Sequence, residues 1–298
     1  MVNEGTSTYV HYPRNMGELV NIYHRRPHAI LYAGGNYILK VRRERYLDFD
    51  TDIISLSGVP ELARISRNER TVEIGATTPV AEIVDLGRNV LPGPFLAGLQ
   101  RLGPVGVRHS ATVGGNLGVP NQTLTMEPVL HMLDARVELR RHGSSRWIPV
   151  IRLRDGEGAL TLRSGELISR LRVPVNAWNH YEFRQFGKPY LPETEPVVFA
   201  ALARTSKEVL EDLRIAASAG GTTIFRDREL EAELVGRRFP FAQRELQGFL
   251  RDALGYLSGA GVPLTELQQH RLISLLRDFV TSLPRRESSR RGITNAGG

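Results

Sequence analysis

Cysteine does not occur among the 298 residues. That rules out disulfides, thiolate-ligated zinc and a Cys-ligated iron–sulfur cluster within this sequence, and it fits a cytoplasmic location. Long apolar runs are missing too. None approaches the roughly 20 residues of a membrane helix, so no membrane contact is expected. The opening Met1-Val-Asn-Glu-Gly-Thr-Ser-Thr has neither a basic n-region nor an apolar h-region, which predicts no secretory signal. Also lacking are a Ser/His/Asp set, a paired-carboxylate site and any metal-ligand spacing. No catalytic side chain and no metal site are therefore predicted.

What remains is an ordinary globular composition, 41% apolar and 24% charged, long enough for two domains. The net charge is +7, with Arg285, Arg286, Arg290 and Arg291 near the end. A solvated basic tail explains these four. Arginines elsewhere are scattered, without a helix-turn-helix or RNA-binding signature, so no nucleic-acid partner is expected.

Apolar periodicity predicts a helix over 15–26, with Asn15 as cap, Glu18 completing a capping box and Pro27 as stop. Strands are expected at 29–33 and 73–76, with a second apolar segment at 52–56 between them. Helices are expected from Thr78-Pro79, over 92–102 and over 128–133. Strict alternation marks strands at 135–140 and 167–173. After a boundary at 174–179, three strands (180–186, 197–203, 214–219) precede three helices. The last of these is capped by Thr265 and Gln268, with Leu272, Leu275, Leu276, Phe279 and Leu283 on one face. The expected organisation is a domain over 1–175, with subdomains of about 1–57 and 58–175, a second α+β domain over 176–283, and a disordered tail over 284–298.

Two Gly-Gly-Asn turns carry chemical content: Gly34-Gly35-Asn36 and Gly114-Gly115-Asn116, each read as following a strand-like segment. Glycine permits positive φ and close backbone approach, and successive N–H groups in such a turn form a concave anion site. Two of them brought together could hold both phosphates of a dinucleotide; taken singly each reads as a tight turn between strands, and the pair leaves the two readings evenly open. Neither fits G-x-G-x-x-G or the P-loop.

Residues 28–62, with Ala33-Gly34-Gly35-Asn36-Tyr37-Ile38 and Gly58-Val59-Pro60-Glu61-Leu62, resemble the opening of the FAD-binding subunits of molybdenum hydroxylases. That group includes xanthine dehydrogenase and the carbon monoxide dehydrogenase medium subunit. The likeness sharpens at Arg108-His109-Ser110-Ala111-Thr112-Val113-Gly114-Gly115-Asn116 and extends through Leu133-Asp134-Ala135 and Gly165-Glu166 to Pro174. The resemblance implies an α+β, two-subdomain FAD-binding fold of the PCMH type, followed by a three-stranded sheet with helices. It implies FAD as cofactor, with Ala33, Gly34, Gly35, Asn36, Tyr37 and Ile38 around the pyrophosphate and Thr112, Gly114, Gly115 and Asn116 as the other half of the cradle. Ile168, Leu102, Thr125 and Arg184 would lie near the cofactor. It implies an electron-transferring oxidoreductase subunit partnered by a molybdopterin-binding large subunit and an iron–sulfur small subunit, in a heterotrimer that pairs up, with NAD or another electron acceptor.

The sequence departs from the family pattern in places. Thr125 stands where the family carries Asp, Asn36-Tyr37 replaces Thr-Asp or Thr-Asn, Val119-Pro120-Asn121-Gln122 replaces Asn-Ala-Ser-Pro, and Lys188-Pro-Tyr-Leu-Pro-Glu193 replaces an Arg-Arg-rich block. These departures keep two alternatives open: a flavin-free subunit retained for assembly, and a stand-alone flavoprotein reductase. His109 is read as a surface or structural histidine, His131 as packing and Glu127 as a helix-start residue.

Overall fold

A computed structural model of the chain describes residues 8–41, 49–189, 191–261 and 263–294, with backbone alone for Val41 and for 285–294. In chain order the elements are β1 (Val10–His11), α1 (Met16–Arg25), β2 (Ile30–Tyr32), α2 (Asn36–Val41), β3 (Ile53–Ser55), β4 (Ile65–Arg67), β5 (Thr71–Gly75), α3 (Val80–Asp85), α4 (Gly93–Gln100), α5 (Val105–Ser110), α6 (Val113–Leu117), α7 (Met126–Met132), β6 (Arg136–Arg141), β7 (Ser144–Pro149), β8 (Leu167–Pro174), β9 (His180–Phe186), β10 (Val197–Ser206), β11 (Val209–Ser218), β12 (Ile224–Phe225), α8 (Arg228–Glu233), α9 (Gln243–Gly259) and α10 (Glu266–Thr294). They form two compact units. The first comprises 1–91, 99–121 and 134–175; the second comprises 92–98, 122–133 and 176–298.

The first unit holds two sheets. A small parallel sheet has the order β1-β3-β2. Its short edge strand is fastened through Asp52, whose carboxylate accepts from His11 Nε2 at 2.9 Å, Arg26 Nε at 2.6 Å and the Tyr9 amide at 3.2 Å. Helix α1 is capped as its sequence predicts, with Asn15 Oδ1 accepting the Glu18 amide at 2.9 Å, but the expected box does not close, since Glu18 Oε2 accepts the Arg14 amide at 2.7 Å and not that of Asn15. Glu61, from the Pro60-Glu61-Leu62 segment, adds a second acceptor for the Met16 amide at 3.1 Å. That part of the family-like pattern anchors a helix start. The larger sheet has the order β4-β5-β8-β6-β7. Alternation buries Val72, Ile74, Val137, Leu139, Leu171 and Val173, while the opposite face pairs Arg172 with Glu73 at 2.7 Å and lays the Arg172 guanidinium 4.0 Å from the Trp147 ring centre.

The second unit is built on an antiparallel sheet, β12-β11-β10-β9. It has four strands where three were expected. The short β12 was not anticipated, and β11 begins at Val209 instead of Arg214. The β10–β11 turn is Lys207-Glu208, with φ of 49° and 67°. Two left-handed residues suit a tight hairpin, but the usual Asn-Gly signal is absent, so the sequence concealed the turn. Strand β10 is buried on both faces from Val197 to Ala203. Phe199 and Ala201 face a core with Phe249, Leu276 and Phe279 from α9 and α10. On the other face α7 packs against β10 and β11, and Gly98 lies against Val129 and Phe183. This second layer explains why 92–98 and 122–133, which the sequence reading placed in the first domain, cluster with the second unit. The box at the start of α10 forms as expected: the Gln268 amide donates to Thr265 Oγ1 at 3.2 Å and the Thr265 amide to Gln268 Oε1 at 3.1 Å. Where a disordered tail over 284–298 was expected, helical backbone continues past Pro284 through Thr294, and 295–298 lie outside the described residues. A proline inside a helix costs about 3 kcal/mol; here the turn before it is held by buried Val280 and Leu283.

Among the described residues no helix is long and apolar enough to cross a membrane.

Candidate cofactor site

The first glycine segment follows β2. Gly35 has φ of +70° and its carbonyl accepts the Leu39 amide at 2.9 Å, which opens α2. The first-turn N–H groups of a helix have no partner within it and point outward from its end. Asn36, Tyr37 and Ile38 occupy that first turn, half-buried, as is Ala33 before the glycines.

The second Gly-Gly-Asn is not a turn after a strand. Val105–Ser110 is helix α5, pinned by Arg108, whose Nη1 donates to the carbonyls of Gln100 at 3.1 Å and Gly103 at 2.6 Å. Gly114, Gly115 and Asn116 then lie inside α6. The cause is local. Thr112 Oγ1 accepts the Gly115 amide at 3.1 Å as an N-cap, and the Gly114 amide donates to the Ala76 carbonyl at 2.8 Å. A Cβ on Gly114 would stand 2.6 Å from Ala76 Cβ, so glycine is what allows the helix to form against that neighbour.

The two segments, far apart in sequence, are brought together. A Cβ on Gly34 would stand 1.7 Å from the Ser110 carbonyl oxygen, and Asn36 Nδ2 donates to Ser110 Oγ at 3.0 Å. Behind them the Val80 amide donates to the Ala111 carbonyl at 2.8 Å and Ala76 N to Ser169 O at 3.0 Å. That ties α6 to β8, where Ile168 sits buried. Leu102 is buried in the same unit, after α4.

Thr125 and Arg184 belong to the second unit. Thr125 is buried before α7. Arg184 is engaged by Glu182 and donates to its own Phe183 carbonyl at 3.2 Å. Two departures from the family pattern meet there, since Gln122 Nε2 donates to the Pro189 carbonyl at 3.0 Å. His109 is exposed in the last turn of α5, and Glu127 is buried in the first turn of α7. Neither is part of the glycine assembly. His131 is buried in α7, as read.

The residues present fit a dinucleotide. Side chains that would fill the space between the segments are missing at the glycines, and the Asn116 Oδ1 acceptor is buried without a hydrogen-bond partner among the described residues. Buried polar atoms are normally satisfied, so such an orphan marks a place where a further donor belongs. Ser110, Ala76 and Tyr32 complete the assembly and were not singled out from the sequence. Their roles arise from contacts across distant stretches of chain, which no local pattern encodes. Among the described residues no group of three or more metal-ligating side chains occurs.

Residues 5–176 match the family described as "FAD binding domain in molybdopterin dehydrogenase". The chain belongs to that family, and its cofactor is FAD. Its relatives are oxidoreductases. Aldehyde oxidase 2 of Cavia porcellus is 24% identical over 286 residues, covering 90% of this chain; the chain spans 21% of that protein's length. The putative xanthine dehydrogenase FAD-binding subunit of Escherichia coli K12 is 22% identical over 226 residues, 74% of this chain and 77% of the relative. Among solved structures, carbon monoxide dehydrogenase from Hydrogenophaga pseudoflava aligns with a TM-score of 0.74 at 22% identity, covering 94% of this chain and 98% of the matched one. That establishes the shared fold.

Proposed function

We propose that this chain is the FAD-binding electron-transfer subunit of a molybdenum hydroxylase. In this role it receives electrons from iron–sulfur clusters in a partner subunit and delivers them to NAD or another acceptor. The observation that carries the reading is the convergence of Gly34, Asn36, Ser110 and the Thr112-capped α6 within one unit. FAD, when bound, supplies the reversible redox chemistry. The protein's task is to bind and orient. The amides of Gly34 to Ile38 offer donors to the pyrophosphate, those of Gly114 and Gly115 being held by the Ala76 carbonyl and Thr112 Oγ1; Asn116 offers a buried acceptor, and Ile168 and Leu102 supply apolar contact. Thr125 and Arg184 are further candidates, standing in the second unit.

No side chain is asked to act as acid or base. No cysteine occurs in the sequence, so the clusters lie outside it; the proposed partners are a molybdopterin-binding large subunit and an iron–sulfur small subunit in a heterotrimer. The test is co-purification with such partners followed by NADH oxidation with an artificial acceptor. Turnover that requires FAD and survives removal of the molybdenum subunit supports NAD as the acceptor. A complex active with its reducing substrate but inert to NADH and NAD points to a different acceptor.

A further inference from the structure

We infer that the Tyr32 hydroxyl is an additional positioning group for the cofactor, donating a hydrogen bond to a phosphate oxygen of the FAD pyrophosphate. This rests on the reading that Gly34 to Ile38 wrap that pyrophosphate.

Tyr32 is the last residue of β2, and its backbone is fixed: it pairs with Ser55 in parallel register and its carbonyl accepts the Leu56 amide at 2.8 Å. The side chain folds back along the loop it precedes. A Cβ on Gly35 would lie 2.3 Å from the phenol oxygen and 2.7 Å from Cζ. The hydroxyl therefore occupies the space that glycine leaves at the centre of the phosphate-facing turn. Gly35 has positive φ, which already favours glycine. The missing side chain thus has a second consequence, which is to admit the phenol.

Phosphate oxygens only accept hydrogen bonds, so the pocket must supply donors. Three polar side chains beside the glycines are already engaged. Asn36 and Ser110 pair at 3.0 Å, Ser110 Oγ also lies 3.3 Å from the Val107 carbonyl, and Thr112 Oγ1 holds the Gly115 amide at 3.1 Å. The orphan atom of Asn116, Oδ1, is an acceptor and does not suit a phosphate. Tyr32 is half-buried, its hydroxyl has no hydrogen-bond partner among the described residues, and that hydroxyl is the atom nearest a Cβ on Gly35. A phenol O–H donates readily to a charged oxygen, and such bonds are stronger than neutral ones.

The test compares the full-length wild type with Tyr32→Phe, which keeps the ring and removes only the oxygen. Three readouts are taken: melting temperature without cofactor, FAD affinity by fluorescence quenching, and the phosphorus NMR shifts of bound FAD. The expected result is an unchanged apo melting temperature, FAD binding weakened about ten- to hundredfold, and a moved pyrophosphate resonance. Tight wild-type FAD binding with no change in affinity or resonance for Tyr32→Phe overturns the inference and leaves the glycine cradle standing. A wild type that binds no FAD overturns the cradle reading, and the Tyr32 role falls with it. A measurement independent of any variant is titration of ADP into wild-type chain carrying ring-labelled tyrosine. A shifted Tyr32 ring-carbon signal supports the contact, and an unmoved one at saturation contradicts it.

Discussion

Gly34 and Ser110 approach so closely that a methyl group on the Gly34 α-carbon would stand 1.7 Å from the Ser110 carbonyl oxygen. The atom in the way is backbone, at the end of a helix whose next residues continue into α6. It cannot rotate aside as a side chain can. This contact, with the Asn36–Ser110 hydrogen bond, joins the two glycine segments.

Gly34→Ala is therefore expected to cost about 3 kcal/mol or more, toward the upper end for overpacking in a tight site, and to abolish FAD retention. Gly106→Ala is the matched control. Its added Cβ meets nothing within 4 Å, and in helix α5 the change gains about 0.5–1 kcal/mol. Thermal melts of both variants check the pair. Equal stabilities would mean the Gly34–Ser110 approach is not present.

Thr112 caps α6 through the Gly115 amide. Thr112→Val keeps the shape and loses the acceptor, for a predicted loss of about 1 kcal/mol and weaker FAD binding. Thr112→Ser should restore both. Calorimetric titration with FAD alongside urea unfolding separates cap from cofactor effects.

The buried Glu166 carboxylate accepts Arg146 Nε at 2.9 Å and Nη2 at 2.8 Å, and the Arg163 amide at 2.8 Å. Burial pushes its pKa up, but the Arg146 hydrogen bonds, the Arg163 amide and the two arginine charges outweigh that and hold it below the usual glutamate value. The stabilisation is thus fully present above the unfolded glutamate pKa, about 4.3, and is lost as pH falls through the lowered folded value. Arg146→Met leaves the carboxylate buried without its main partner. Near neutral pH this should cost about 3 kcal/mol. The loss of stability in acid that Glu166 contributes should also shrink, because burial still raises its pKa while only the Arg163 amide and charge are left to lower it. Denaturant midpoints across an acidic pH series read the change directly.

Much of this architecture was legible because its signals are local. Asn15 and Glu18 announce α1, Thr265 and Gln268 announce α10, and alternation in 135–140 and 167–173 announces β6 and β8. The glycine-rich blocks pointed to the family and its cofactor. What stayed hidden depends on partners distant in sequence. α6 is helical because of the Thr112 cap and Ala76, a contact no window around Gly114 reveals. The β10–β11 hairpin turns on Lys207-Glu208, residues without turn preference. Segment 122–133 joins the second unit because β10 needs cover on both faces, and hydrophobicity alone does not say which sheet a short helix will cover. Ser110 and Tyr32 matter only because the two glycine segments meet.

The most direct test of the account is the visible absorption spectrum of the purified chain after incubation with FAD and desalting, with Gly34→Ala alongside. The predicted result is a flavin spectrum retained by the wild type and missing from the variant. A wild type that emerges colourless from excess FAD, even with partner subunits present, would contradict the claim that these two glycine segments form a cofactor cradle.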